Sequence, residues 1–189
     1  MIYLIVCASC SGKTSFTYNS FIKGREFKQC KDILDYAETD STILLGKWIS
    51  DSRTKGSDTI NRQDIHLICP QVLNLLEKTT KDIVLEGDKI TSRTVFNQIR
   101  DLNVPCKLYL IKVSPEVSYL RNVNNNSRCS YSHLKAVTTK AENIFSEYRD
   151  VFDGEEVNTN NVSREDFNIL SKDNYKDICK DDSDDDRLF

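Results

Sequence analysis

The sequence predicts an α/β fold of three layers, in which helices flank a parallel β-sheet. Short apolar runs alternate with segments of helical periodicity along the chain, which is the pattern of strand–helix–strand units. The first apolar run also leads directly into a row of small residues and then a predicted helix. At 189 residues the chain is long enough for one domain with a buried core. We therefore expect the chemistry at the carboxyl ends of the strands.

The predicted strands and helices follow one another in order. Residues 2–6 form a short run of β-branched and aromatic residues, which predicts a buried strand. Further strands are predicted at residues 43–48, 82–86 and 107–113. Helices are predicted at residues 13–23, at 59–78 with a kink or break at Pro70, at 91–102 capped by Thr91 or Ser92, and from Ser114-Pro115 onward. Residues 25–40 have mixed character, and residues 51–58 are a loop dense in turn formers and charge.

Residues 7–14 read CASCSGKT, close to the pattern G-x-x-x-x-G-K-[ST] of loops that bind nucleotide phosphates. Small residues let backbone N–H groups converge on phosphate oxygens, and the helix behind them adds its positive end. Cys7 stands at the first glycine position, so the backbone there must suit an L-residue. The alternative is a Ser/Gly turn with an exposed lysine. The phosphate-binding hypothesis assigns the nucleotide to Ala8, Ser9, Cys10, Ser11, Gly12, Lys13, Thr14 and Ser15.

Two acidic segments are candidates for the metal and the phosphoryl acceptor. Glu86-Gly-Asp88 follows a predicted strand, and carboxylates at this place suit a magnesium–nucleotide site. One would hold a metal-bound water, and the other would orient or deprotonate the acceptor. The alternative is an ordinary polar turn. Asp58 is a further candidate for contact with the substrate, although an aspartate just before a helix is also a common N-cap.

A polar, asparagine-rich segment at about residues 121–140 predicts a lid. It carries four cations, Arg121, Arg128, Lys135 and Lys140. Cations on a mobile cover stabilise the charge that spreads over a phosphoryl group in transfer, and they help to exclude water. The alternative is a solvated surface with ordinary basic residues.

Composition and charge narrow the class of protein. The formal net charge is −3, and residues 173–189 hold seven Asp against three cations, so we expect an acidic, disordered tail after a single domain at residues 1–172. There is neither an apolar run of membrane-spanning length nor a signal-peptide pattern, which predicts a cytoplasmic protein. The seven scattered cysteines are expected to be reduced thiols, with redox or zinc chemistry of the C-x-x-C at Cys7 and Cys10 as the alternative.

Six segments together are more specific than any one of them. In order they are SGKT, ILLGKW, GSDTI, IVLEGDKI, SPEVSYLR and LKAVTTKAENI. Over about residues 1–150 this order resembles a family of phage-encoded P-loop kinases, similar in layout to nucleoside monophosphate kinases, that includes 5-hydroxymethyluracil DNA kinases. The resemblance implies a P-loop NTPase fold of the nucleoside-kinase type with a helical lid. A phage protein of this kind would work in the host cytoplasm.

The resemblance also implies site roles. ATP would be the donor and Mg²⁺ the metal, with Lys13 on the β- and γ-phosphates and Thr14 and Glu86 on the metal side. Asp58 and Asp88 would face the acceptor with Glu86. The four lid cations would cover the site: Arg121 and Arg128 act on the transferring group, and Lys135 and Lys140 hold the nucleotide.

The expected reaction is transfer of the γ-phosphoryl group to a hydroxyl on a nucleobase in DNA. The nearest alternative is a deoxynucleoside monophosphate kinase, in which Arg53, Arg62 or Arg93 would bind the acceptor phosphate. An NTPase or nucleotide switch without an acceptor is the alternative from another class. A guanine-specific switch would carry an N-K-x-D segment, which this sequence does not show. The oligomeric state does not follow from the sequence.

Overall fold

A computed structural model of the protein describes residues 1–8, 10–48, 56–124 and 129–159. Its centre is a sheet of seven strands in the order β2-β3-β4-β5-β1-β6-β7. The strands are β1 (Ile2–Cys7), β2 (Lys28–Lys31), β3 (Asp35–Glu38), β4 (Thr42–Leu45), β5 (Asp82–Glu86), β6 (Cys106–Lys112) and β7 (Gly154–Asn158). The strands from β4 to β7 in this order pair in parallel, and β2 and β3 add an antiparallel hairpin at one edge.

Helices connect the parallel strands. They are α1 (Lys13–Thr17), which continues as a π-helical segment at Tyr18–Ile22, α2 (Ile68–Lys78), α3 (Arg93–Asp101), α4 (Pro115–Asn124) and α5 (Tyr131–Tyr148). Short 3₁₀ segments lie at Ser57–Thr59 and Arg62–Leu67. Within the described residues, no helix is both long and apolar enough to cross a membrane.

Two apolar clusters lie on opposite faces of the sheet. Leu4 and Val6 of β1 pack in a cluster with residues of α2, α3 and α5. Ile5 and Cys7 lie in the other cluster, with Ile22 of the π-helical segment that follows α1. Successive residues of a strand point to opposite faces, so β1 is buried on both. The predicted three-layer α/β fold is confirmed.

The strand register brings two chain segments together at one edge of the sheet. β1 pairs with β5 on one side, with Ile5 opposite Glu86, and with β6 on the other, with Cys7 opposite Ile111. Because these strands are parallel, their carboxyl ends meet at the same edge. The segment after Cys7 and the turn after Glu86 therefore lie side by side.

The structure differs from the predicted elements in three places. Residues 25–40, of mixed character in sequence, contain β2 and β3, and β7 is a strand that the sequence analysis does not assign. The helix predicted at residues 59–78 is two 3₁₀ segments followed by α2, and Pro70 lies in the first turn of α2, where its missing N–H costs little. The acidic tail at residues 173–189 lies outside the described residues.

Candidate active site

The segment between β1 and α1 turns through two left-handed residues. Cys10 has φ of 57°, and Gly12, the N-cap of α1, has φ of 91°. Cys7 is the last residue of β1 and is paired with β6, so it has the extended backbone of a strand residue. The first glycine of the usual pattern is therefore replaced at a position where an L-residue fits. Ser9 lies outside the described residues.

Lys13 is a buried lysine in this site. Its side chain is 8% exposed, and its Nζ lies 2.8 Å from Oδ2 of Asp58, whose side chain is 42% exposed. Burial lowers the pKa of the Lys13 ammonium, but the nearby Cys7, Glu86 and Asp58 together raise it above its ordinary value. Lys13 is therefore a fixed positive charge at neutral pH.

Asp58 is held in place by a lysine that the sequence analysis did not single out. Lys89 donates from Nζ to the backbone carbonyl of Asp58 at 2.6 Å and also to that of Ile60. The Thr59 hydroxyl donates to the carbonyl of Gly56 at 2.8 Å, which closes the short turn around Asp58. Lys89 lies three residues after the end of β5, so its hydrogen bonds connect the Asp58 segment to the turn that follows Glu86.

Glu86 is fully buried at the end of β5. It lies against the backbone of Gly56, where an added Cβ would come within 2.1 Å of Glu86 Oε1 and 2.9 Å of Trp48 Cζ2. Gly56 also has φ of 47°. Glycine is therefore required at position 56 for two reasons, the positive φ and the close approach of the Glu86 carboxylate. Burial lowers the pKa of Lys13, whereas Glu86 is among the groups that raise it. Glu86 therefore lies within electrostatic range of the Lys13 ammonium.

Arg121 of α4 reaches back to the segment between β1 and α1. Its Nη1 donates to the carbonyl of Ser11 at 3.2 Å, and its Nη2 donates to that of Thr159 at 2.6 Å. The Thr159 hydroxyl donates to the same Ser11 carbonyl at 2.7 Å. The predicted lid residue Arg121 is thus anchored beside the start of α1. Arg128, its predicted companion, lies outside the described residues.

These residues surround a cavity of about 770 Å³, which we call the inner cavity. Its walls come from the start of α1, from the Asp58 turn and from α4. The lining residues are Cys10, Gly12, Lys13, Thr14, Ser15, Phe16, Asn19, Ser20, Asp58, Arg121 and Thr159. Ala8 and Ser11 are buried and are not among these lining residues. Most of the described residues that the sequence analysis assigned to the nucleotide phosphates therefore lie together.

Asp88, Lys135 and Lys140 lie elsewhere. Asp88 Oδ1 is 3.2 Å from Lys140 Nζ, on the outside of the turn that follows Glu86. Lys135 and Lys140 line a second depression of about 680 Å³, which we call the outer groove. Its lining residues are Arg93, Tyr131, Ser132, Lys135, Ala136, Thr139, Lys140 and Asn143. The structure does not bring these two lysines to the inner cavity.

Asn122 is a buried residue of the predicted lid that contacts the segment before α1, and the sequence analysis did not single it out. Its Nδ2 donates to the carbonyl of Cys129 at 2.8 Å, and its Oδ1 lies 4.0 Å from Cys10 Sγ. One asparagine in a segment rich in asparagine carries no distinguishing signal in the sequence. Asn122 therefore contacts the segment between β1 and α1.

The cysteine chemistry weighed for C-x-x-C does not fit this site. Burial raises the pKa of the Cys7 thiol to about 12, so the reactive thiolate does not form near neutral pH. Within the described part of the chain, no three His, Cys, Asp or Glu side chains cluster as a metal site. Cys7 is better explained as a small apolar residue of the core.

The sequence comparisons give no match. No protein-family model matches the chain, and no curated protein matches it. Among solved structures, deoxyadenosine kinase from M. mycoides with dCMP and a flexible dCDP bound is similar to this chain, with a TM-score of 0.52 and 10% identity over 93% of this chain and 100% of that one.

The chain has the fold of a P-loop nucleoside kinase. Two further structures of deoxyadenosine kinase from M. mycoides also match. The one with dATP has a TM-score of 0.48 and 12% identity over 92% of this chain and 99% of that one. The one with dCTP has a TM-score of 0.42 and 11% identity over 93% of this chain and 100% of that one. At such identities the likeness is one of fold alone.

The residues around the segment between β1 and α1 fit a polyphosphate with a divalent cation. The first peptide N–H groups of α1, the Lys13 ammonium and the Arg121 guanidinium all border the inner cavity. The Thr14 hydroxyl and the Asp58 carboxylate offer oxygen ligands there, and Glu86 is buried behind the turn that carries Asp58. Magnesium bound with a nucleotide needs only one or two protein carboxylates, so this oxygen set is sufficient.

Proposed function

We propose that the protein is an ATP-dependent kinase that transfers the γ-phosphoryl group to a hydroxyl on a nucleobase in DNA. The observation that carries the kinase assignment is the buried Lys13, the first residue of α1, which pairs with Asp58 at the wall of a cavity that Arg121 also lines. A fixed positive charge at the start of a helix supports binding of phosphate oxygens beside the helix amides.

In the proposed reaction the acceptor oxygen attacks the γ-phosphorus, and the bond to the ADP oxygen breaks. Lys13 and Arg121 stabilise the negative charge on the transferring group. Lys13 exchanges its contact with Asp58 for the phosphate oxygens, because both lie at the wall of the same cavity. Magnesium, when bound, neutralises charge on the β- and γ-phosphates.

The acceptor proton passes to a carboxylate of the chain. Of the two candidates we assign this role to Glu86, which lies behind the Asp58 turn within electrostatic range of Lys13, whereas Asp88 is paired with Lys140. The burial of Glu86 also keeps water away from the carboxylate that receives the proton. Asp58, at the wall of the inner cavity, orients the acceptor.

The acceptor is the finer part of the proposal. A DNA base hydroxyl is supported by the resemblance of the six sequence segments, whereas the similar solved structure carries dCMP and dCDP, which favours a free nucleoside or nucleotide. A monophosphate kinase needs an arginine for the acceptor phosphate. Arg93 lines the outer groove and is paired with Glu147, Arg62 lies outside the set that lines the inner cavity, and Arg53 is outside the described residues.

An acceptor screen with γ-labelled ATP tests the function. The arms are a deoxynucleoside set, a deoxynucleoside monophosphate set, DNA containing 5-hydroxymethyluracil, unmodified DNA of the same sequence, and no acceptor. We expect label in the modified DNA alone. Label confined to free nucleosides or nucleotides would replace the DNA acceptor with the second candidate. Release of phosphate at the same rate in every arm would indicate an NTPase.

A further inference from the structure

Lys89 connects the turn after β5, which carries it, to the 3₁₀ segment Ser57–Thr59, which contains Asp58. The half-buried side chain donates from Nζ to the backbone carbonyl of Asp58 at 2.6 Å and also to that of Ile60. Both acceptors belong to the backbone. The two hydrogen bonds therefore fix the path of the chain on either side of Thr59, and the Asp58 carboxylate stays available for other partners.

The turn that carries Lys89 is itself held in place. The hydroxyl group of Thr91, which is fully buried, donates to the carbonyl of Gly87 at 2.8 Å, and the Thr91 N–H donates to the carbonyl of Asp88 at 3.1 Å. Ile90 is also fully buried and packs in an apolar cluster of the core. Because the backbone on both sides of Lys89 is fixed, the lysine can hold the segment that it contacts.

Asp58 also forms an ion pair, and the proposed reaction breaks that contact. Lys13 Nζ lies 2.8 Å from Asp58 Oδ2, and both residues line the inner cavity. In the proposed reaction Lys13 turns to the phosphate oxygens, so the ion pair is lost at the stage when Asp58 must act. Lys89 is not among the residues that line this cavity. Its hydrogen bond to the Asp58 backbone therefore does not compete with the nucleotide phosphates.

The other contacts of this turn hold its flanks rather than Asp58. The Thr59 hydroxyl donates to the carbonyl of Gly56 at 2.8 Å and accepts the N–H of Lys47 at 2.9 Å. Within the described part of the chain, the hydrogen bonds made to Asp58 itself come from Lys13 and Lys89. Once Lys13 is engaged by phosphate, Lys89 is the one of these two lysines that still holds Asp58.

We propose that Lys89 is the positioning residue for Asp58 during phosphotransfer. With Lys13 on the phosphates, Lys89 keeps the Asp58 carboxylate at the wall of the inner cavity, where it orients the acceptor. Lys89 acts through Asp58 and touches neither nucleotide nor acceptor. Because the orientation of a reactant affects the chemical step, loss of Lys89 lowers turnover with the acceptor more than affinity for ATP. The inference rests on the proposed function, which gives Asp58 its role.

Steady-state phosphotransfer by Lys89→Met, Lys89→Arg, Asp58→Asn and the double variant Lys89→Met/Asp58→Asn tests this role. The acceptor is the one that the screen labels, which is DNA containing 5-hydroxymethyluracil in the proposed case. We expect Lys89→Met to lower kcat about tenfold, with ATP affinity within about twofold of wild type. Lys89→Arg restores a donor and should recover at least about a third of kcat. In the Asp58→Asn background, Lys89→Met should add less than about twofold.

Two other lysines supply the controls. Lys81 precedes β5 as Lys89 follows it, and its Nζ also donates to a backbone carbonyl, that of Thr39, at 2.6 Å. Lys112→Ala removes an exposed lysine of β6 that is paired with Glu156. Lys81→Met and Lys112→Ala should both keep kcat within about twofold of wild type. Urea unfolding of every variant shows whether a loss of kcat reflects a loss of the fold.

Hydrogen exchange gives a readout that does not depend on activity. With ATP and Mg²⁺ bound, we expect the amides of residues 57–61 to exchange at least about tenfold faster in Lys89→Met than in the wild type. The same amides should exchange at the wild-type rate in Lys81→Met, because that variant loses a lysine–carbonyl contact at the other end of β5.

The possible outcomes separate this inference from the kinase assignment. Equal exchange in the three proteins, or the same kcat in folded Lys89→Met and the wild type, would refute the positioning role. So would a loss of kcat that is just as large in the Asp58→Asn background, because Lys89 would then not act through Asp58. Absence of phosphotransfer to any acceptor by the wild type would refute the proposed function, and hydrogen exchange would then decide by itself whether Lys89 holds the Asp58 turn.

Discussion

Two lysine–aspartate pairs lie on either side of the turn at residues 86–89, and they differ in burial rather than in chemistry. Lys13 and Asp58 are 2.8 Å apart with the lysine 8% exposed, whereas Lys140 and Asp88 are 3.2 Å apart with the lysine 46% exposed. A buried ammonium needs compensating charge, and the carboxylates supply it. The exposed pair is screened by water and ions. The lysine of the inner pair therefore depends on nearby carboxylates to remain charged in its buried site, whereas the outer pair contributes little to stability.

The largest expected effect is that of Lys13→Ala. We expect kcat/KM to fall about 10³-fold, because the variant loses the ammonium that acts on the transferring phosphoryl group. Lys112→Ala is the control and should keep wild-type activity. Thermal unfolding of both variants, measured by circular dichroism, shows whether the loss reflects a missing charge or a missing fold. Wild-type turnover by a folded Lys13→Ala protein would contradict the role of the inner pair.

The second-largest effect should distinguish Glu86, the last residue of β5, from Asp88, which lies two residues later. We expect Glu86→Gln to lower kcat about 10²- to 10⁴-fold, since it removes the buried proton acceptor, and Asp88→Asn to lower it less than about tenfold. Single-turnover phosphotransfer with saturating ATP measures the chemical step. The reverse order of effects would place the acceptor on the outer side of the turn.

Gly56→Ala tests the close approach between the Asp58 turn and Glu86. The new Cβ would lie 2.1 Å from Glu86 Oε1, so we expect a loss of about 1–3 kcal/mol in the free energy of unfolding, together with lower activity. Gly24→Ala is the matched control, because Gly24 has φ of 79° and no heavy atom within 4 Å of its built Cβ. It reports the backbone strain alone. Equal urea-unfolding free energies for the two variants would show that the contact with Glu86 is unimportant.

The pH dependence of stability sharpens the difference between the two lysines. The pKa of Lys13 is raised in the folded state, so its stabilising contribution is complete below the unfolded value of 10.5 and is lost as pH rises through the folded value. We therefore expect Lys13 to contribute no change in unfolding free energy between pH 6 and pH 9, within about 0.3 kcal/mol. The measurement is the difference between wild type and Lys13→Met across that range. A difference that shrinks steadily from pH 6 to pH 9 would contradict the buried charge.

The smallest effect should come from the outer pair. A double-mutant cycle with Lys140→Ala and Asp88→Ala should give a coupling free energy below about 1 kcal/mol, decreasing as salt rises. Urea unfolding at low and high salt measures it. A coupling of several kcal/mol that does not change with salt would show that the outer pair is structural, as the inner pair is.

The sequence allowed the parallel centre of the sheet to be predicted, but not its edges. The run DIVLE at Asp82–Glu86 is apolar and β-branched, so its burial is legible in the residues themselves. The edge strands KQCK and GEEVN are exposed and largely polar. They therefore lack the alternation of apolar and polar residues that predicts a strand from sequence. Edge strands of this composition are defined by the neighbour with which they pair.

The same contrast applies to the site. Lys13 and Thr14 belong to a local motif whose spacing is fixed by the turn before a helix, so their place at the start of a helix after the first strand could be predicted from sequence. Lys89 contacts Asp58, and Asn122 contacts Cys10, so both act through contacts between segments far apart in the chain. No local sequence pattern predicts such contacts. The roles predicted for Lys135 and Lys140 as nucleotide ligands, and for Arg128 and Ser9, stay predictions.

Isothermal titration calorimetry with ATP and Mg²⁺ tests the central claim most directly, because the account depends on the inner cavity binding a triphosphate. The wild type should bind ATP with a stoichiometry near one. Lys13→Ala should bind it at least about tenfold more weakly, and the control Lys112→Ala should match the wild type. The absence of measurable binding of any nucleoside triphosphate by the folded wild-type protein would contradict the account.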